Sequence, residues 1–315
     1  MAAANPPEHT RLRKLVAPHF SPEVLRARRA FVEDLVDRQL DRLDCGEPVD
    51  LIDEFAIQVP SRVISELLGL PHQDHFLFAR WGVEFAATID GARGLRDRRR
   101  IHRLLAEMTE YFAAVVADRT RHPGEDLISS LIDAVAADLL TEVQLLATCQ
   151  ALLIGGFVTT SNIIGNAVVA LSQNPPQRAA FTADVDRAGR LVEEVLRLQA
   201  PAQYSVRLAR ESTTLAGHEL HPGTPVVTLL AAANRDPAVF ADPNAFDIGR
   251  PNSHEHLSFA AGAHYCLGAS LARLEGTIAL RALYARYPDL TIAGDVSYFP
   301  SRVIRGPLHL PVRCR

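Results

Sequence analysis

Apolar residues recur at three- and four-residue intervals through the first two-thirds of the chain. That is the period of helices with one buried face. Asn5-Pro6-Pro7 opens the first, with proline in its first turn. The same period predicts helices over 22–44 and 51–68, the second stopped by Leu68-Gly69-Leu70-Pro71. It returns over 76–87 and 98–119, separated by Asp90-Gly91, and over 127–137 after the turn His122-Pro123-Gly124. Two more helical stretches fill 178–200.

Positions 143–177 carry no charged residue. A membrane span is one reading of such a run. Against it, Gln144, Thr148, Gln150, Thr159, Thr160, Ser161, Asn162 and Asn166 are a heavy polar load for lipid. Thr141-x-x-Gln144 forms a capping box and Asn174-Pro175-Pro176 a stop. At about 1.5 Å per residue the segment reaches roughly 50 Å, against about 30 Å of hydrocarbon. The expectation is one long helix buried through a globular domain, with no membrane partner.

After Pro201 short alternating runs at 205–209, 213–216 and 226–230, with a turn at His221-Pro222-Gly223-Thr224, predict small strands and hairpins. Residues 234–263 read as an irregular loop. A last helix follows over 267–287, then a strand over 308–312. The predicted fold is mainly α with a small β part (α+β), in one domain over 1–315 without repeat or linker.

Composition agrees. With 48% hydrophobic and 22% charged residues, the 315-residue chain is a globular protein able to build a core without disulfides. A net charge of −4 gives no basic field for nucleic acid. Cys45, Cys149, Cys266 and Cys314 have no paired spacing, which fits a reduced, cytoplasmic chain. The N-terminus lacks the pattern of a secretory signal.

Cys266 lies in Phe259-Ala-Ala-Gly262-Ala-His264-Tyr-Cys266-Leu-Gly268, just before the last helix. A thiol at a helix N-terminus is biased toward thiolate, and the flanking Gly262 and Gly268 let backbone approach something flat. A small buried core cysteine is the plainer alternative. A zinc site from His254, His256, His264 and Cys266 is another, but the spacing matches no compact zinc pattern.

The loop F-x-x-G-x-H-x-C-x-G resembles the haem-binding loop of the cytochrome P450 family. Other segments resemble family motifs in the same order: Asn5-Pro-Pro-Glu-His9-Thr-Arg-Leu-Arg13, Gly155-Gly156-Phe157-Val158-Thr159-Thr160, Glu194-Val-Leu-Arg197, Ala233-Asn234-Arg235-Asp236-Pro237 and Phe246-Asp247-Ile-Gly-Arg250. The resemblance covers the whole chain and points to the soluble bacterial form. It implies a P450-like helical domain with a long central helix, holding haem b (iron protoporphyrin IX) with Cys266 as axial ligand of the iron. His9, Arg13, Arg207 and His264 would meet the haem propionates. Glu194 and Arg197, with Arg250 as their partner, would brace the loop. Phe259, Gly262 and Gly268 would shape the loop, Gly155 and Gly156 the groove in the long helix, and Thr159 would act at bound dioxygen. The implied activity is a monooxygenase inserting one oxygen atom from O2 into a small hydrophobic substrate. Electrons would come from a ferredoxin or flavodoxin-type donor with its reductase, docking near Cys266 with help from Arg11 and Lys14. A monomer is expected.

Three positions depart from the family pattern. Val158 stands where an acid normally precedes the threonine, and it cannot transfer a proton. Ala260 replaces a Gly or Ser. The H-x-x-x-R helix starts at residue 5, whereas in the family it lies well inside the chain. The expectation is a domain truncated at its N-terminus, without the preceding helices, part of the sheet and the loop over the substrate. Two other readings follow: peroxide-driven or non-oxygenating haem-thiolate chemistry, or a haem-binding remnant without turnover.

Overall fold

The computed structural model describes residues 4–43, 47–92 and 94–314. Its α-helices are α1 (Glu8–Val16), α2 (Pro22–Leu40), α3 (Gln58–Leu68), α4 (His75–Ala86), α5 (Leu95–Arg121), α6 (Leu127–Ala136), α7 (Glu142–Gln173), α8 (Pro175–Thr182), α9 (Ala188–Leu198), α10 (Leu230–Ala233) and α11 (Ala269–Arg286). The strands are short: β1 (Val49–Asp50), β2 (Ser205–Leu208), β3 (Thr213–Leu215), β4 (His218–Leu220), β5 (Pro225–Thr228), β6 (Thr291–Ile292), β7 (Ser297–Tyr298), β8 (Pro307–His309) and β9 (Pro311–Arg313). All named pairs are antiparallel. They form a β1–β9–β6 sheet and the pairs β2–β5, β3–β4 and β7–β8.

The uncharged segment is a single helix, α7, running through the centre with α3, α4, α5, α6, α9 and α11 packed around it. Its capping box is formed: Gln144 N–H donates to Thr141 Oγ1 (3.2 Å) and Thr141 N–H to Gln144 Oε1 (3.0 Å). Asn174 and Pro175 end it. α7 is apolar and long enough to cross a bilayer, but its most apolar window is 83% buried inside the fold. Part of its polar load is used internally. Asn166 Nδ2 donates to the carbonyls of Gln199 (2.9 Å) and Arg305 (3.2 Å), tying the helix to the end of α9 and to the tail.

Several predicted boundaries move. The helix expected over 51–68 is a π-helical turn (Ile52–Ala56) followed by α3. Pro60 explains this: in the first turn of α3 its missing N–H costs nothing, whereas a helix running through from residue 51 would lose an internal bond there. Gly69, at φ +77°, ends α3 as expected. α5 extends beyond 98–119 at both ends. The strand expected over 308–312 is two strands, β8 and β9. The last helix begins at Ala269 instead of residue 267. Asp44 and Cys45 lie outside the described residues.

Candidate active site

A largely apolar cavity of about 370 Å³ lies between α7 and the segment leading into α11. Gly155, Gly156, Thr159, Thr160 and Ile163 form one wall. Phe259, Ala260, His264, Cys266, Gly268 and Leu271 form another, and Ile64, Leu196, Tyr204 and Ser205 close it. Its volume is that of a small-molecule site. Of the residues singled out in the sequence, Gly155, Gly156, Thr159, Phe259, His264, Cys266 and Gly268 line it directly. His9, Arg13, Arg207 and Gly262 do not.

The cysteine loop is closed on itself. Cys266 N–H donates to the Phe259 carbonyl (2.9 Å) and Tyr265 N–H to that of Gly262 (3.0 Å). Two left-handed residues bend the chain to do this, Ala260 at φ +57° and Gly262 at φ +71°. The Phe259 ring is buried, with the Arg273 guanidinium over it at 4.6 Å. The expected lowering of the thiol pKa by a helix N-terminus is corrected, because α11 begins three residues after Cys266. Burial pushes the thiol up, while the Gly268 N–H and the charges of Arg13 and Arg273 act in the opposite direction.

The residues off the cavity wall gather at its rim. The His9 and His264 rings lie 4.2 Å apart, centroid to centroid. Arg13 donates to the Ala263 carbonyl (3.3 Å). The Arg207 charge reaches His264. Burial pushes both imidazoles below their ordinary pKa, and neighbouring Arg13 pushes the same way on each. Sequence-distant segments thus bring four nitrogen-bearing side chains to one edge. Arg11 points elsewhere, toward Gln144 at the start of α7 (3.5 Å), and Lys14 is exposed.

On α7, Thr159 Oγ1 donates to the Gly155 carbonyl one turn back (3.2 Å). The two glycines differ. A Cβ at Gly155 would meet nothing within 4 Å, so this position opens into the cavity. A Cβ at Gly156 would lie 2.9 Å from Ile64, so this glycine serves close packing against α3. Phe157 and Val158 are buried and face α4, where they abut Gly82.

Glu194 and Arg197 form a bidentate pair, 2.8 Å for each bond, with no exposure of either side chain. Arg250 joins Glu194 at 3.4 Å, as expected. Arg197 also donates to the carbonyls of Asn234, Pro243 and Ala245, so the guanidiniums hold the loop between α10 and the cysteine segment. Sequence reasoning missed the neighbouring acid. Glu193 takes two bonds from Arg273 (2.6 and 3.1 Å) and approaches His256 at 3.3 Å. Burial would raise its carboxyl, yet bonds and charge from His256 and Arg273 outweigh that and hold it at about 2. The signal was the second acid beside the E-x-x-R. Also missed was Glu275 on α11, fully buried with both carboxylate oxygens unpartnered.

The four candidate zinc ligands do not converge, since His256 faces Glu193 while His264 lies against His9. Among the described residues only Asp50, Asp53 and His309 lie close enough to share a metal, and they belong to the β1–β9 end of the molecule.

The model of the family described as cytochrome P450 matches residues 188–288. The biotin biosynthesis cytochrome P450 of Bacillus subtilis is 36% identical over 99% of this chain and 79% of its own length. The cytochrome P450 monooxygenase PikC of Streptomyces venezuelae is 38% identical over 100% of this chain and 76% of its own. Among solved structures, P450BioI in complex with hexadec-9Z-enoic acid ligated acyl carrier protein superposes with a TM-score of 0.94 at 36% identity, covering 100% of this chain and 82% of that one.

A mainly helical fold with a thiol beside an apolar cavity is therefore a P450-type oxidoreductase of the monooxygenase class. The chain belongs to the cytochrome P450 family. The family implies a haem, and the site fits one: a thiol on one wall, open space at Gly155 on another, and cationic or imidazole groups at the rim.

Proposed function

We propose that this chain is one haem-thiolate domain that oxygenates a small hydrophobic substrate with electrons from a ferredoxin or flavodoxin-type donor. The observation carrying this reading is the placement of Cys266 and Thr159 on two walls of one cavity, with His9, Arg13, Arg207 and His264 at its edge. Haem b bound there would supply dioxygen activation, with Cys266 as its axial ligand. His9, Arg13, Arg207 and His264 would neutralise and orient the propionates. Gly155 leaves room for the flat group, while Phe259, Gly262 and Gly268 shape the loop around the thiolate. Glu194, Arg197 and Arg250 keep the loop's approach fixed. Apolar side chains such as Ile163 and Leu196 exclude water from the reacting region. Thr159 Oγ1 can keep its bond to the Gly155 carbonyl as donor and accept, or turn to donate into the cavity. The reading places the protein in the cytoplasm as a monomer. The acyl-carrier complex of the solved relative supports carrier-bound acyl chains as one substrate form.

Val158 favours a second reading in which protons do not come from α7. Its side chain is buried against α4, away from the cavity wall. Turnover driven by peroxide should then exceed turnover driven by a ferredoxin–reductase system. Efficient reductase-driven oxygenation by the unaltered chain would overturn this second reading. Absence of turnover with either oxidant system would overturn the first.

A further inference from the structure

The haem-thiolate reading leaves an aromatic cluster between α4 and α5 without a task. Trp81 on α4 and Tyr111 on α5 have ring centroids 5.4 Å apart, and Phe78 lies 5.7 Å from the first and 5.5 Å from the second. Trp81 is the only tryptophan of the chain and is fully buried. Tyr111 is half-buried, and its hydroxyl donates to Asp74 Oδ2 (2.7 Å) at the start of α4.

The cluster has an inner and an outer end. Gly82, the residue after Trp81, abuts Phe157 and Val158 of α7. Gly155, Gly156 and Thr159, on either side of that pair, line the cavity. One helix, about 10–12 Å across, thus separates Trp81 from the cavity. At the outer end Asp74 is partly exposed to solvent.

Packing alone does not call for these residue types. Phenylalanine at either position would fill the space without a polar atom to satisfy. Trp81 Nε1–H is buried with no acceptor among the described residues, which costs free energy. The Tyr111 hydroxyl has an acceptor, and burial together with the bond to Asp74 pushes its pKa up. The two polar aromatics therefore differ in one chemical respect. A phenol that loses an electron also sheds its proton, and here Asp74 stands ready to take it. An indole that loses an electron at position 81 has no side chain to receive its proton. A hole entering the cluster therefore passes through Trp81 and settles on Tyr111.

We propose that Trp81 and Tyr111 form an oxidation relay that drains the oxidant left at the haem when no substrate consumes it, giving the protein a thiol-dependent peroxidase activity. The proposal rests on the haem reading of the cavity. Trp81 gives one electron to the haem site, and Tyr111 gives one to Trp81. The Tyr111 O–H bond breaks, its proton moves to Asp74, and a neutral phenoxyl radical remains. A thiol in solvent returns one electron to Tyr111, and Asp74 returns the proton. Two passages deliver two electrons, and the two thiols join as a disulfide. The two protons they release balance the two taken up at the haem site. The net reaction is hydrogen peroxide and two thiols giving two waters and a disulfide.

The test uses the full chain loaded with haem, mixed with hydrogen peroxide without substrate and freeze-quenched for electron paramagnetic resonance. Wild type should show a tyrosyl radical. Tyr111→Phe keeps the ring and removes only the hydroxyl, so its reduced-CO band should match that of wild type. It should lose the tyrosyl signal, and with glutathione as the thiol its haem should bleach severalfold faster in peroxide. Asp74→Asn keeps a hydrogen-bond acceptor but not a proton acceptor, and should lower the radical yield severalfold. Absence of a tyrosyl radical in wild type, persistence of the signal in Tyr111→Phe, or equal bleaching of the two proteins would overturn the proposal. A wild type that shows the Tyr111 radical yet lacks the thiolate CO band would strike the thiolate reading and leave the relay standing.

Discussion

Ala260 holds a left-handed backbone at φ +57°, where a side chain crowds the following carbonyl at a cost of roughly 1–2 kcal/mol. Ala260→Gly should therefore raise thermal stability by about 1 kcal/mol, read as a higher Tm at unchanged haem content. An unchanged or lower Tm would mean that the loop does not carry this strain. Glu275 has the opposite problem, a carboxyl without a partner in a fully buried site. Burial pushes its pKa well above the ordinary 4.5. The folded state then holds a proton that the unfolded state has released, so stability falls as pH rises from 4.5 toward the folded value. Melting curves of wild type and Glu275→Gln should coincide at the acidic end and separate in favour of the variant as pH rises. Parallel pH profiles would show that the carboxyl is ionised and paired. Of these residues Ala260 was visible in the sequence as a departure from the loop pattern. Glu275 was not, because burial of one charged position in a helix of mixed character depends on the faces of its neighbours.

At the scale of elements, local signals were the legible ones. The capping box at Thr141 and Gln144, the prolines after Asn174 and the uncharged run between them define α7 without tertiary information. The cysteine loop was legible as a motif for the same reason, its residues being contiguous, but its closing bond from Cys266 N–H to the Phe259 carbonyl was not. The start of α11 was not, since Leu267 is apolar and in period yet lies in the loop. The pair Gly155-Gly156 shows the limit clearly: identical residues, one opening the cavity and one packing on Ile64, a difference set by α3. The buried brace joins α9 to the loop near Arg250. Glu194→Ala would strand Arg197 and Arg250 without their counter-charge. It should cost about 3–5 kcal/mol and lose haem retention together with thermal stability. A variant with native Tm and full haem content would make this brace dispensable.

At the scale of the molecule, the β parts and the rim were the least legible. β1 has two residues and exists by pairing with β9 from the far end of the chain. Likewise, His9, Arg13, Arg207 and His264 meet only because α1, β2 and the cysteine loop converge. The i, i+4 spacing of His9 and Arg13 supports a solvated basic face as readily, and only the family resemblance joined all four beforehand. The net charge of −4 hides this cluster, since a sum over the chain carries no geometry.

The central claim is that Cys266 holds haem iron as a thiolate in this cavity. It is tested most directly by the reduced-CO difference spectrum of the purified chain beside Cys266→Ser. Wild type should give the red-shifted Soret band of thiolate ligation, and the variant should lose that band while retaining its fold. A thiolate band that persists in Cys266→Ser, or a folded wild type that takes up haem without ever showing the band, would contradict the account.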